Sequence, residues 1–155
     1  MEERLKFIYL QKYFQVTLFL AILVLMWGCG SGGGTTLNEV ASNGASVSVI
    51  STGNGVYVIQ GNNMDGVAAI SLTISYDSST LSSPTVVQGG LISEALMVSN
   101  TTTPGTLRIS ALAAYPKVIS GSGQIATISF ATVTGEGSVS VASVEMFDVR
   151  GAPIP

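Results

Sequence analysis

Histidine is absent from the 155 residues, and Cys29 is the single cysteine. That removes the imidazole on which a hydrolytic triad depends, and any Cys/His metal site. Ser120 and Lys117 offer a Ser–Lys combination, but both lie in a turn-forming stretch whose composition accounts for them. Glycosidic cleavage by paired carboxylates needs two acids facing one cleft. The acids beyond Gly28 are Glu39, Asp65, Asp77, Glu94, Glu136, Glu145 and Asp148, and most fall at turns and strand ends. Asn63-x-Asp65-Gly66 is a fragment of a calcium loop without the leading aspartate or the distal glutamate, and it reads as a hairpin turn. No catalytic residue, metal ligand or cofactor is expected, and the chain is read as a non-enzyme.

Cys29 is where chemistry is expected. Val16 to Trp27 forms an apolar run of about a dozen residues behind the weakly basic Arg4, Lys6 and Lys12. Such a run suits the core of a signal peptide and falls short of the roughly 20 residues that cross a bilayer as a helix. It ends in Met26-Trp27-Gly28-Cys29, followed by Gly30-Ser31-Gly32-Gly33-Gly34-Thr35-Thr36. This resembles a bacterial lipoprotein signal, in which a small residue precedes a cysteine that is lipidated and becomes the new N-terminus. Gly28 and Cys29 fit that pattern, whereas Trp27 is bulky for its position. The resemblance implies a signal peptide over residues 1–28 and a protein exported and lipid-anchored in the cell envelope. Gly30, where an aspartate would resemble an inner-membrane retention signal, favours the outer membrane or cell surface. Residues 29–45 read as the lipidated cysteine and a Gly/Ser/Thr-rich linker, whose root-mean-square reach is roughly 20–24 Å. No lysine follows the glycine run, so it is not a phosphate cradle.

Beyond Gly28 seven acids stand against the three bases Arg108, Lys117 and Arg150, for a net charge of 3 − 7 = −4. A phosphate backbone meets mild repulsion there, which argues against nucleic acid as a partner. From Ser46 the pattern is short alternating runs divided by Gly, Asn, Asp and Pro. Strands are predicted at 46–51, 56–60, 67–76, 85–88, 96–100, 106–113, 124–132 and 138–148. In the third, Ala68, Ile70, Leu72, Ile74 and Tyr76 share one face, and Ser71, Thr73 and Ser75 the other. Ala126, Ile128 and Phe130 alternate likewise with Thr127 and Ser129, as do Leu107, Ile109 and Ala111 with Arg108 and Ser110. Leu91 to Val98 leaves room for one or two helical turns. Turn residues at this spacing mean an all-β sandwich or barrel.

Five segments in order resemble a cohesin, the nine-stranded jelly-roll receptor module of cellulosome scaffolds. They are Gly66-Val67-Ala68-Ala69-Ile70-Ser71-Leu72-Thr73-Ile74-Ser75-Tyr76-Asp77, Gly89-Gly90-Leu91-Ile92, Gly105-Thr106-Leu107-Arg108-Ile109-Ser110, Gly121 to Phe130, and Val144 to Ile154. The resemblance implies a jelly-roll β-sandwich of about eight or nine strands over residues 46–155. Within it, Tyr76 is expected to bury its ring while its hydroxyl finds a partner. Asp77 is expected to open a turn by accepting amides of Ser79 or Thr80, and Gly151 to close a tight turn. Compared with cellulosomal cohesins the start is abbreviated and the domain short, which puts membership in a true cellulosome in doubt.

The implied function is that of a surface-anchored, non-catalytic module that recognises a dockerin-like protein, itself calcium-loaded, in the setting of extracellular polysaccharide breakdown. Cohesins receive the dockerin on one sheet, built from the strands that resemble the third, fifth, sixth and seventh here. Alternation places Ser71, Thr73, Ser75, Arg108, Ser110, Thr127 and Ser129 outward on it. Jelly rolls also serve as carbohydrate-binding modules, which stack sugars on exposed aromatics. Among Tyr57, Tyr76, Tyr115, Phe130 and Phe147, four fall in strands and are assigned to the core. Tyr115, beside Pro116 in a loop, is the expected platform for a polysaccharide. A structural envelope lipoprotein is a third reading.

Overall fold

The computed structural model describes residues 40–42, 44–135 and 137–154. Among these residues ten strands run in chain order: β1 (Val40–Ser42), β2 (Ala45–Gly53), β3 (Val56–Asn62), β4 (Ala69–Tyr76), β5 (Leu81–Gln88), β6 (Ala95–Asn100), β7 (Thr106–Ala113), β8 (Gly123–Val133), β9 (Val139–Phe147) and β10 (Pro153–Ile154). All neighbours pair antiparallel, in one sheet of order β1-β2-β3-β8-β5 and another of order β10-β9-β4-β7-β6. The eight predicted strands correspond one for one to β2–β9, so the all-β jelly-roll expectation holds. β1 and β10 were not expected. They hold three and two residues, too short to show a period. β1 lies inside the stretch read as linker and pairs Ala41 with Ser46, so the sandwich starts ahead of Ser46.

Consecutive strands mostly change sheets. Only β2–β3, β6–β7 and β9–β10, beside the short β1–β2 pair, are sequential neighbours within one sheet. The turn at Asn63–Gly66 is therefore not the hairpin read from sequence, because β3 and β4 belong to opposite sheets. It is a corner: Met64 N–H donates to Gly121 O at 2.9 Å, and Asp65 Oδ1 accepts Gly121 N–H at 3.1 Å.

The core is the space between the sheets. Ile70, Leu72 and Ile74 of β4 face Val47, Ile59 and Ile128 of the opposite sheet, all buried. Tyr76 tilts against Phe130 with ring centroids 4.9 Å apart, and Tyr57 meets Phe130 edge-on at 5.9 Å. Both geometries suit aromatic quadrupoles. Among the described residues no partner meets the Tyr76 hydroxyl, whereas Tyr57 donates its hydroxyl to Gly137 O at 2.8 Å. Burial pushes the Tyr57 phenol above its ordinary pKa. In β8 strict alternation fails: Ile125 and Ala126 are both fully buried, where the pairing with β3 shifts register at Ile59/Gln60. A β-bulge inserts one residue and lets two neighbours face the same side. Asp77 opens its turn as expected, Oδ1 accepting Ser79 N–H at 2.9 Å. Gly151, at φ +77°, donates its N–H to Asp148 O at 3.0 Å. Of the helical turns allowed for Leu91–Val98, a single 3-10 turn forms, Gly90–Ile92, starting one residue earlier and ahead of β6.

Candidate functional site

Cross-strand register defines the outer face of the β10-β9-β4-β7-β6 sheet, since directly opposed residues project to the same side. One row reads Leu96, Leu112, Ala69, Phe147, Pro153 across the sheet. The next reads Val98, Ser110, Ser71, Glu145, and the third Asn100, Arg108, Thr73, Ser143. The fourth brings Thr106, Ser75 and Ser140 together, with the Ser75 and Ser140 hydroxyls 2.8 Å apart. Polarity thus runs along the strands, from an apolar end to a hydroxyl-rich end with one guanidinium.

The apolar end is open to solvent: Leu96 is 70% exposed, Val98 61% and Leu112 56%. Together with Ser71, Ser110 and Phe147 they line a shallow depression of about 250 Å³. Apolar residues contiguous across several strands of an otherwise hydroxylated surface mark an interaction site more than scattered exposure does. Fully burying a side chain such as Leu or Val is worth about 1.5–3 kcal/mol.

Five of the seven residues predicted for the face lie on this sheet: Ser71, Thr73, Ser75, Arg108 and Ser110. Thr127 and Ser129 do not. They lie on β8, where they pair with Val58 and Val56 of β3, so their side chains belong to the opposite sheet. The reason is topological: the segment Ala114–Ser122 carries the chain from β7 across the sandwich, and β9 rather than β8 completes the face. Leu96, Val98, Leu112, Phe147 and Glu145 also lie on this face, none of them among the residues expected there. Phe147, assigned to the core, is half-buried and opposes Ala69 on the outside, while Met146 beside it turns inward at 3% exposure. The signal was available, because alternation with Met146 offers either phase, but the aromatic ring was given the inside.

Tyr115 is 85% exposed in the loop that leaves β7 at the apolar end of the face. Near it, Lys117 Nζ and Glu94 Oε2 form an ion pair at 2.6 Å. That contact, first as a hydrogen bond and then as a Coulombic attraction, holds Glu94 below its ordinary pKa. The amine of the Ser–Lys combination is thereby engaged with Glu94. Arg108 belongs to neither of the ion pairs found among the described residues. Cys29 lies outside the described residues.

The described residues thus form a two-sheet sandwich with an exposed, graded surface on one sheet. The cohesin-domain family model matches residues 38–148, and the chain belongs to that family. Among solved structures it is similar to a non-cellulosomal cohesin from the hyperthermophilic archaeon Archaeoglobus fulgidus, at 22% identity and TM-score 0.56 over 64% of this chain and 71% of that one. It is also similar to the sixth cohesin of Acetivibrio cellulolyticus scaffoldin B, solved with the Cel5 dockerin, at 19% identity and TM-score 0.55 over 72% and 92%. A type I cohesin–dockerin complex from Clostridium thermocellum gives 14% identity and TM-score 0.54 over 64% and 75%. At these identities the likeness is one of fold. A comparison with curated protein sequences returned no match.

Proposed function

We propose that this chain is a non-catalytic receptor module that captures a dockerin-like protein on the outer face of β9, β4, β7 and β6. The observation that carries the reading is the graded face itself, with Leu96, Leu112, Ala69 and Phe147 at one end and Arg108, Thr73 and Ser143 towards the other. Apolar anchors supply contact area and a lone arginine supplies directional hydrogen bonds, the residue types enriched at interface hot spots. Solved relatives described as complexes with dockerins support the choice of partner. In this proposal Cys29 carries the lipid that holds the domain at the cell surface, and polysaccharide breakdown is the setting.

A pull-down from native extract tests the reading. Wild-type protein is expected to retain a partner that Leu112→Asp releases, with the melting temperature of the variant unchanged. Chelation is expected to abolish capture by unfolding the partner's calcium loops, because binding and folding are coupled there. Tyr115, 85% exposed, supports a second reading as a sugar platform. Retention on insoluble polysaccharide that survives chelation and is lost in Tyr115→Ala would favour the carbohydrate-binding module instead.

A further inference from the structure

Among the described residues the two sheets end in four free edges, β1, β5, β10 and β6. Folded proteins blunt such edges with short strands, proline, charge or local kinks, since an open edge templates further pairing. β1 and β10 are short, and β10 begins on Pro153. β5 carries Pro84, preceded by Ser83 at φ +53°. β6 has none of these devices: it runs Ala95–Asn100 without proline or charge, in unbroken register with β7. No charged residue occurs between Glu94 and Arg108.

The backbone groups that β6 offers can be placed. Ala113 N–H donates to Ala68 O, so Ala113 turns its polar groups toward β4, and its β6 neighbour Ala95 must turn its own outward. By alternation the N–H and C=O of Met97 and Ser99 also point to the free edge. The Ala95 carbonyl is already taken by Gln88 Nε2 at 2.9 Å. Beyond the strand, Asn100 Oδ1 accepts Thr102 N–H at 3.0 Å and turns the chain. The open window is therefore Met97–Ser99, centred on Val98.

We propose that this edge pairs with β6 of a second copy of the chain, antiparallel about a two-fold axis at Val98. The window is its own complement under that operation. Met97 of each copy exchanges backbone hydrogen bonds with Ser99 of the other. Val98 meets Val98 of the second copy at a non-hydrogen-bonded position, where Cα atoms approach to about 4.5 Å. Leu96 lies against Asn100 of the second copy, Glu94 falls opposite an uncharged threonine, and no like charges meet. A C2 dimer of this kind joins two five-stranded sheets into one and leaves both outer faces open. Its hydrogen bonds come from the edge backbone, while Leu96 and Val98 of the apolar end flank the seam; cross-linking reads the pairing and the pull-down reads capture, so the two proposals can fail separately.

Cysteine cross-linking of the full chain tests it. A disulfide spans non-hydrogen-bonded antiparallel neighbours readily, so Val98→Cys is expected to give a covalent dimer under mild oxidation. The wild type, with Cys29 alone, sets the background. Leu112→Cys, exposed on the same face but one strand in from the edge, is expected to stay at that background. Adding Ser99→Pro to Val98→Cys is expected to remove most of the dimer; the Ser99 N–H points away from β7, so the sheet keeps its ladder and the melting temperature its value. Light scattering of the unmodified chain in detergent, read against concentration, gives a mutation-free measure in which the mass per particle should double. Equal cross-linking of Val98→Cys and Leu112→Cys, persistence of the dimer with Ser99→Pro in a folded protein, or a constant single-chain mass would each overturn the proposal.

Discussion

The Tyr57 hydroxyl donates to the Gly137 carbonyl at 2.8 Å, tying β3 to the segment that leads into β9. Gly137 cannot be replaced without moving the core, because a Cβ there would stand 2.3 Å from Leu81 Cγ. Tyr57→Phe keeps the ring contact with Phe130 and removes the bond, so it is expected to cost about 0.5–1.5 kcal/mol in a urea titration. Gly137→Ala is expected to cost more, and a smaller loss would mean that Leu81 has room to shift.

Phe130 joins Tyr57 and Tyr76 in one aromatic cluster, and Leu72 of β4 is fully buried in the same core. Phe130→Ala is expected to cost about 3–5 kcal/mol and Leu72→Ala about 2–5 kcal/mol. A thermal melt unchanged by either would place these side chains outside the core.

The two sheets make opposite predictions for partner capture. Arg108→Ala and Leu112→Asp should weaken it at constant melting temperature. Ser129→Glu, on β8 of the other sheet, should leave capture intact. A loss with Ser129→Glu equal to that with Leu112→Asp would place the docking surface elsewhere.

Asp77 is held below its ordinary pKa of 3.8, chiefly by the Ser79 hydroxyl and then the Ser79 amide. Asp148 is lowered as well, by the amides of Ala152 and Arg150. A carboxylate depressed in the folded state contributes stability above its unfolded pKa and loses it as the pH falls through the folded value. Stability should therefore be level from neutral pH to about 5 and decline below about 4. Asp148→Asn should flatten part of that decline in pH-dependent unfolding.

If Cys29 carries the lipid, Cys29→Ala should leave the precursor unprocessed, and the purified wild type should partition into detergent. Acyl chains contribute about 0.8 kcal/mol per buried CH₂. Wild-type protein free in the medium with an unmodified N-terminus would contradict this.

The long strands were legible because their side chains alternate: Ile70, Leu72 and Ile74 against Ser71, Thr73 and Ser75 fix β4 almost to the residue. Register within a strand is a local property. Which sheet a strand joins is not, and Thr127 and Ser129 show the difference: their alternation was read correctly and their sheet was not. Phe147 and Met146 show a second limit, since two apolar neighbours at a strand end suit either phase. Ile125 shows a third, because the bulge that turns it inward is set by pairing with β3. The apolar end of the outer face is hidden in the sequence for the same reason. Leu96, Leu112 and Phe147 are distant in sequence and become neighbours only through the ladder.

The order in which strands find partners also bears on time. β3 pairs with β8, as in Val56 with Ser129, and β4 with β9, as in Ala69 with Phe147. Neither sheet can close its centre until the chain beyond Gly123 has emerged from the ribosome. Folds dominated by such distant pairings are slow to form, and a slow folder stays threadable. If the chain is exported as proposed, that delay favours it, because the contacts that would jam a narrow conduit are the last that its own sequence permits.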